Sequence, residues 1–265
     1  MTGKMPKKQS YWEKNIELLK STIKKIDKWI LISIALDIAF YIIVIYSFMF
    51  WNSSVQAKQF SIMSKYPPDP MMMSASQLQS INTEAKSFLI LLYSSIVLLA
   101  LFIIFIASIV KGIIWAKTTS TKINLHLISR FLGLNLIWMG LWAAIIILIV
   151  FGIDNSSLVA FASLSIVIAL YFTNIVYSLF MKSNKLSSIA EGLKLGVSKI
   201  SYFAIPNAAL FLVVYLLINS GSLFNAIQKN AGYINLAILV LLIAFMAFAR
   251  YYTSTLVYQV QKIKS

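Results

Sequence analysis

Six apolar stretches of 17 to 23 residues follow one another from residue 29 to residue 252. A helix of about 20 residues crosses a hydrocarbon core of about 30 Å, and it satisfies its backbone hydrogen bonds without water. The sequence therefore predicts an all-α fold, a polytopic integral membrane bundle of six transmembrane helices with amphipathic interfacial helices. The predicted spans are residues 29–51, 88–110, 131–151, 158–180, 202–218 and 233–252.

The composition also indicates a membrane environment. Hydrophobic residues make up 60% of the chain and charged residues 12%, whereas soluble domains are about 45 to 50% apolar. No long polar block separates the apolar stretches, so we predict a single membrane domain at residues 29–257. We expect a cytoplasmic amphipathic helix within residues 1–28 and a cytoplasmic tail at residues 258–265.

The basic residues are divided unevenly between the two predicted sides of the membrane. Four of the 23 Lys and Arg residues, Lys58, Lys65, Lys86 and Lys229, lie on one side, and the other 19 lie on the side of both chain ends. Basic flanks stay in the cytoplasm, so we predict a multi-pass protein of the cell membrane with both termini cytoplasmic. The net charge of +15 then indicates anionic lipid headgroups as partners at the Lys-rich inner face. Nucleic acid is excluded as a partner because the basic residues adjoin apolar segments.

A basic amphipathic segment precedes the first, third and fifth predicted spans. Residues 122–131 and 188–200 form two of these segments, and Ser10 with Glu13 and Ser188 with Glu191 have capping-box spacing. We expect all three segments on the inner leaflet. The first segment has an apolar stripe at helical spacing opposite a lysine face, formed by Trp12, Ile16, Leu19, Ile23 and Ile26.

Two further patterns concern the connections and the packing of the helices. Residues 52–87 contain three prolines and a run of methionines, so we predict a proline-kinked loop on the outer side. Gly192 with Gly196, and Gly140 with Ala144, have the spacing of small residues that permits close helix packing.

Asp37 is the only acidic residue inside a predicted span. Ionisable residues within a membrane are costly and mark functional sites by default. Ser33 and Tyr41 lie one turn to either side of Asp37 and share its helix face. Two interpretations stay open, an acid that lines a functional site and a structural acid that a neighbouring helix satisfies.

Four other polar residues lie at a similar depth in the inner halves of their predicted spans, namely Asn135, Asn174, Asn207 and Arg250. With Asp37 they form the candidate binding cluster. Arg250 either snorkels to lipid phosphate or pairs with Asp37, and asparagines also join helices by hydrogen bonds without binding a ligand. We predict no catalytic residue, metal site or cofactor, because the chain has no cysteine, one histidine and no nucleotide-binding or nucleophile motif.

The final third of the chain resembles a pattern found in prokaryotic membrane proteins. Residues 188–196, which read Ser-Ile-Ala-Glu-Gly-Leu-Lys-Leu-Gly, precede an apolar span, and the last helix ends in Ala249-Arg250-Tyr251-Tyr252. This pattern is similar to the membrane domain of glycerophosphodiester phosphodiesterases and to uncharacterised six-helix relatives. The resemblance implies a six-helix membrane fold and no activity, because these residues contain no phosphodiesterase catalytic domain.

The expected function is non-enzymatic, either movement of a small solute or lipid or support of a membrane partner. One alternative is an intramembrane lipid-modifying enzyme, in which Asp37 would act as acid or base and Arg250 would hold phosphate. That alternative has one carboxylate and no visible second catalytic group. The other alternative is a structural subunit of a membrane complex, which would show an apolar interface and no water-accessible cavity.

Overall fold

The computed structural model describes residues 11–66, 73–227 and 231–262, and these residues form helices with no strand among them. The helices are α1 (Tyr11–Lys25), α2 (Trp29–Met63), α3 (Ala75–Thr118), α4 (Leu125–Gly152), α5 (Asn155–Ser183), α6 (Ser188–Ser198), α7 (Ile200–Ile227) and α8 (Ala231–Lys262).

Five helices are long and apolar enough to cross a membrane, namely α2, α3, α4, α5 and α8. The count becomes six when α6 and the first part of α7, which meet at 83°, are taken as one bent span. Large apolar side chains are exposed along these helices, including Tyr46, Phe50, Leu98 and Leu148. Such a surface is stable against lipid and unfavourable in water. The chain is therefore an all-α multi-pass membrane bundle, as the sequence predicts.

The second half of α8 lies at the centre of the bundle. α8 packs against α1, α2, α3, α5 and α7, and residues 249–257 are all buried. A helix that is buried on every side carries small or apolar residues around its circumference, and α8 supplies Ala247, Leu256 and Val257. Arg250 therefore enters the protein core because its helix is central.

α1 is the helix that the sequence predicts before the first span, and it packs against α8. Leu18 and Thr22 are fully buried, and Leu18 belongs to a core cluster with Leu256 and Val257 of α8. The hydroxyl of Thr22 donates to the carbonyl of Leu18 (2.9 Å), so its burial leaves no unpaired donor. α1 is thus attached to the bundle through a narrow face.

The predicted lipid-facing stripe of α1 lies outside that attached face. Ile16, Leu19 and Ile23 are exposed, so the helix keeps a second apolar face that no described part of the chain covers. Ser10, the predicted N-cap, and the side chain of Trp12 lie outside the described residues. The segment is therefore a helix with two apolar faces.

The second predicted interfacial segment, residues 122–131, is not a separate helix. α4 begins directly after Asn124, whose side chain accepts a hydrogen bond from the backbone N–H of Leu127 (2.7 Å). Leu127 and Phe131 are buried in a core cluster with Trp138. The prediction is wrong because the apolar face of this segment packs against the bundle, as the first turns of a long spanning helix.

The third predicted segment contains α6, which two glycines bring close to α5. A Cβ atom at Gly192 would lie 2.6 Å from Cγ2 of Val176, and one at Gly196 would lie 2.6 Å from Cε1 of Phe172. No larger residue fits such contacts without a shift, so the backbone approaches closely only because glycine has no side chain. The predicted packing role of this glycine pair is confirmed.

Two other predictions about local packing are wrong. No capping box forms at α6, because the N-cap is Ser187 without a side-chain cap bond, and the Ser188 hydroxyl pairs with Ser183 instead (2.8 Å). Gly140 of α4 faces open space, because a Cβ there would meet nothing within 4 Å. Its spacing from Ala144 therefore does not mark a close helix contact within the described residues.

α2 and α3 extend beyond their predicted spans and form an antiparallel hairpin. α2 runs to Met63 and α3 begins at Ala75, so most of the predicted loop at residues 52–87 is helical, and Lys65 pairs with Glu84 across the hairpin (3.2 Å). At about 1.5 Å per residue, the 35 residues of α2 measure about 52 Å and the 44 of α3 about 66 Å. The loop prediction is wrong over these turns, and the prolines lie outside the described residues.

Several chain segments meet at the opposite end of the bundle, which we name the basic end: α1, the connections 119–124 and 184–187, and the last turns of α8. The Thr121 hydroxyl donates to the carbonyl of Met181 (3.1 Å), and the guanidinium of Arg130 donates to the carbonyl of Asn184 (2.8 Å). Asn184 itself ends α5 in the left-handed conformation (φ 50°), which asparagine tolerates. These bonds hold the connections together at the end where the basic residues cluster.

Candidate functional site

Asp37 lies on the third turn of α2 and faces the interior of the bundle. Its carboxylate is 2% exposed and bonds through Oδ1 to Nζ of Lys111 and through Oδ2 to Nη2 of Arg250, each at 2.5 Å. We name Asp37, Lys111 and Arg250 the charged triad. The triad joins α2, α3 and α8, and of the two alternatives for Arg250 the structure shows the pairing with Asp37.

The neighbours of Asp37 on α2 help to hold Lys111 in place. Phe40 is buried and Tyr41 is partly exposed, and Nζ of Lys111 lies 4.9 Å from the ring centroid of Phe40 and 5.1 Å from that of Tyr41. A cation over an aromatic ring is attracted by the negative face of the ring. Ser33, one turn before Asp37, is buried. The polar face predicted on α2 therefore lies partly in the core. Tyr41, its more exposed residue, contacts Lys111 through its ring.

The charged triad carries more positive than negative charge. Two cations share one carboxylate, so the group has a formal charge of +1 in a part of the bundle from which water is largely excluded. Exposure is unequal, since the side chain of Lys111 is 19% exposed, that of Arg250 8% and that of Asp37 2%. Burying charge is costly unless every group is paired. Lys111 is therefore the least buried member of the triad.

Two polar side-chain atoms of α8 are buried and have no hydrogen-bond partner among the described residues. They are Nε of Arg250 and Oγ1 of Thr253, which lies three residues further along α8. Residues three apart share a helix face. In contrast, the hydroxyls of Ser254 and Thr255 on the same helix donate to the carbonyl of Tyr251 (3.1 and 2.9 Å).

Asn135, which the sequence places in the candidate cluster, belongs to a different polar group. Its Nδ2 donates to the hydroxyl of Ser108 (2.8 Å), and the hydroxyl of Tyr177 donates to its Oδ1 (2.5 Å). All three residues are buried, and they join α3, α4 and α5. This arrangement has the form of a structural hydrogen-bond network between helices.

The two remaining asparagines make no hydrogen bond to the triad among the described residues. Asn207 is buried and its Nδ2 donates to the carbonyl of Phe203 in its own helix (2.8 Å). The side chain of Asn174 is partly buried, and it makes no hydrogen bond among the residues that the structure describes. Of the five residues in the candidate cluster, the structure thus brings together only Asp37 and Arg250.

The basic end is tied to the triad through the residue that follows Arg250. The Tyr251 hydroxyl lies 3.4 Å from Oδ1 of Asp27, and the same carboxylate oxygen accepts the backbone N–H of Trp29 at the start of α2 (3.0 Å). The ammonium of Lys117 lies 4.1 Å from the ring centroid of Trp29. These contacts fix the beginning of α2 against α8 and α3. They thereby position Asp37 next to Lys111 and Arg250.

Lys111 is the site residue that the sequence interpretation did not include. The predicted second span ends at residue 110, so Lys111 counted as an inner flank and contributed only to the orientation. In the structure α3 continues for seven residues beyond it, to Thr118. The sequence contains a signal for Lys111, because Asp37 needs a partner at its own depth and Lys111 directly follows the predicted second span.

Comparisons with protein-family models, with curated proteins and with solved structures find no match for this chain. The likeness of the final third to the membrane domain of glycerophosphodiester phosphodiesterases stays a prediction. Within the described stretches, no three His, Cys, Asp or Glu side chains gather as a metal site would require.

Proposed function

We propose that this chain is a non-enzymatic multi-pass membrane protein that moves a small solute or a lipid, with the charged triad as its site. The observation that carries the proposal is the burial of Asp37, Lys111 and Arg250 together among apolar spanning helices. Ionisable groups inside a membrane domain are expensive, and they commonly mark substrate or ion pathways. In a purely structural ion pair the two charges neutralise each other. The triad has two cations and one carboxylate, so one positive charge is left to attract a substrate.

The enzymatic alternative has less support from the geometry. General acid–base catalysis requires a group that can reach the substrate with a free oxygen or nitrogen. Both carboxylate oxygens of Asp37 bond to cations, and no second acid contacts the triad among the described residues. Arg250 could hold phosphate, but no described group is placed to attack it.

We further propose that the basic end faces the cytoplasm and contacts anionic lipid headgroups at the cell membrane. Exposed lysines on α1, such as Lys20 and Lys24, accompany the exposed apolar face of Ile16, Leu19 and Ile23. Apolar residues beside lysines favour a helix that lies in the headgroup region. A role in supporting a membrane partner is the second candidate function, favoured by the long α2–α3 hairpin.

Reconstitution into liposomes tests the transport proposal. Two readouts cover the two substrate classes: fluorescent phospholipids whose movement between leaflets is followed by dithionite quenching, and currents on a solid-supported membrane after jumps in phosphate, acetate or ammonium. We expect the wild-type protein to accelerate at least one process several-fold over protein-free liposomes. Asp37→Asn should abolish this gain, and Lys65→Ala, which removes only an exposed pair, should retain it. Wild-type rates equal to those of empty liposomes in every assay would refute the proposal.

A further inference from the structure

The donors around Arg250 are only partly used. Asp37 bonds to Nη2 of Arg250, whereas Nε, on the same edge of the planar guanidinium, is buried without a partner among the described residues. The Thr253 hydroxyl, one turn away on α8, is likewise buried and unpartnered. A buried donor without an acceptor is unfavourable, so two such donors on residues that share one face of α8 call for an acceptor that completes the site.

The charge of the triad indicates what kind of acceptor fits. With two cations and one carboxylate, the triad has a formal excess of one positive charge, which a neutral water molecule would not balance. A guanidinium N–H donates a strong, charge-assisted hydrogen bond to an oxyanion, and a hydroxyl or an ammonium can supply further donors. Lys111 is the more exposed of the two cations, with a side chain that is 19% exposed.

We infer that the charged triad, together with Thr253, binds a phosphate oxyanion as a second counter-ion. Arg250 contributes its Nε–H, Thr253 its hydroxyl, and Lys111 its ammonium charge. The phosphate comes from a phospholipid headgroup or from a free phosphate in solution, since both present the same oxygens. This inference rests on the proposed function in taking the triad as the site, and it adds the chemical class of the substrate.

Thr253→Val is the sharpest test, because it replaces an unpartnered hydroxyl by a methyl of similar size and leaves the three charges in place. Thr255→Val is the matched control, since Thr255 lies on the same helix and its hydroxyl bonds only to a backbone carbonyl. The full-length protein is delipidated in detergent and titrated with inorganic phosphate, at ionic strength held constant with chloride, while its thermal unfolding is followed. A second arm compares phosphatidylglycerol with diacylglycerol of the same chains, by native mass spectrometry and thermal unfolding.

We expect saturable stabilisation in at least one arm, with phosphate or with phosphatidylglycerol and not with diacylglycerol. Thr253→Val should weaken that binding by about tenfold or more, as expected for the loss of a hydrogen bond to a charged group, whereas Thr255→Val should leave the affinity unchanged. The arm that responds identifies the source of the phosphate. No saturable binding in either arm, or equal affinity of wild type and Thr253→Val, would overturn the inference. Binding that persists in a protein without flux in liposomes would instead remove the transport function and leave the phosphate site.

Discussion

At the scale of single residues, the charged triad is asymmetric, and this asymmetry predicts which substitution is most harmful. Asp37→Asn leaves Lys111 and Arg250 buried without a counter-charge, so we expect a loss of about 3 to 5 kcal/mol in the free energy of unfolding. Arg250→Met leaves Asp37 paired with Lys111, and the loss should be smaller, about 1 to 3 kcal/mol. Both losses are measurable by reversible unfolding in mixed micelles.

The double variant Asp37→Asn/Arg250→Met provides the internal check on this ranking. It leaves only Lys111, the most exposed member of the triad, which can reach water, so it should be more stable than Asp37→Asn alone. The control is Asp154→Asn, because Asp154 is exposed and makes no side-chain cap bond to α5. If the double variant is as unstable as the sum of its two single variants, the triad is not a coupled group.

The triad also shows how far residue-level prediction reaches. The pairing of Asp37 with Arg250 is one of the two alternatives that the sequence offers, because a buried acid requires a partner and both residues lie at a similar depth in their predicted spans. Asn135 occupies the same depth, yet it faces Ser108 and Tyr177. Depth along a helix follows from counting residues, whereas the direction in which a side chain points depends on which helices are neighbours, and a single sequence does not contain that information.

At the scale of elements, the contact between α5 and α6 predicts opposite effects for two glycine-to-alanine substitutions. Gly192→Ala brings a Cβ into contact with the branched side chain of Val176, and overpacking of this kind costs about 1 to 3 kcal/mol. Gly140→Ala meets nothing within 4 Å, so the better helix propensity of alanine should stabilise by up to about 1 kcal/mol. The midpoint of thermal unfolding in one detergent should thus fall for the first variant and stay constant or rise for the second. A rise for both would show that α6 is not closely packed on α5.

The attachment of α1 to the bundle predicts a contrast between two adjacent leucines. Leu18 is 1% exposed and Leu19 is 40% exposed. Leu18→Ala removes a core side chain and should cost about 2 to 5 kcal/mol. Leu19→Ala should change stability by less than about 0.5 kcal/mol, as substitutions outside the core do, but it should weaken the contact of α1 with the headgroups of anionic liposomes. Stability from chemical denaturation, and quenching of a fluorophore at Lys20→Cys by headgroup-labelled lipid in the reconstituted protein, separate the two faces, and equal stability losses would mean that the helix is not docked through Leu18.

The elements differ in how well the sequence predicts them. α1, α6 and the spanning helices follow from apolar periodicity and length. The ends of α2 and α3 do not, because a window of about 20 residues finds where a helix crosses lipid and not where it stops. Polar residues such as Gln56 and Lys58 continue α2 toward Met63, since a helix leaving the membrane remains stable when a second helix packs beside it.

At the scale of the whole molecule, the orientation in the membrane can be tested without background, because the chain has no cysteine. Lys24→Cys places a thiol on exposed α1 at the basic end, and Lys65→Cys places one at the tip of the hairpin. With the basic end in the cytoplasm, a membrane-impermeant maleimide should label the Lys65 position in intact cells. The Lys24 position should react only after permeabilisation, because basic flanks remain inside. Labelling of the Lys24 position in intact cells, or of both positions from one side, would overturn the topology.

The α2–α3 hairpin connects the charged triad to the other end of the molecule through two continuous helices. About 39 Å of uninterrupted helix separates Asp37 from Met63, and α3 runs alongside it from Ala75 to Lys111 without a break. A tilt of about 10° pivoting on Asp37 would carry the hairpin tip through about 7 Å, by simple leverage over that length. A small rearrangement of the charged triad should therefore produce a larger displacement at the hairpin tip. A distance probe attached to the tip would measure that displacement.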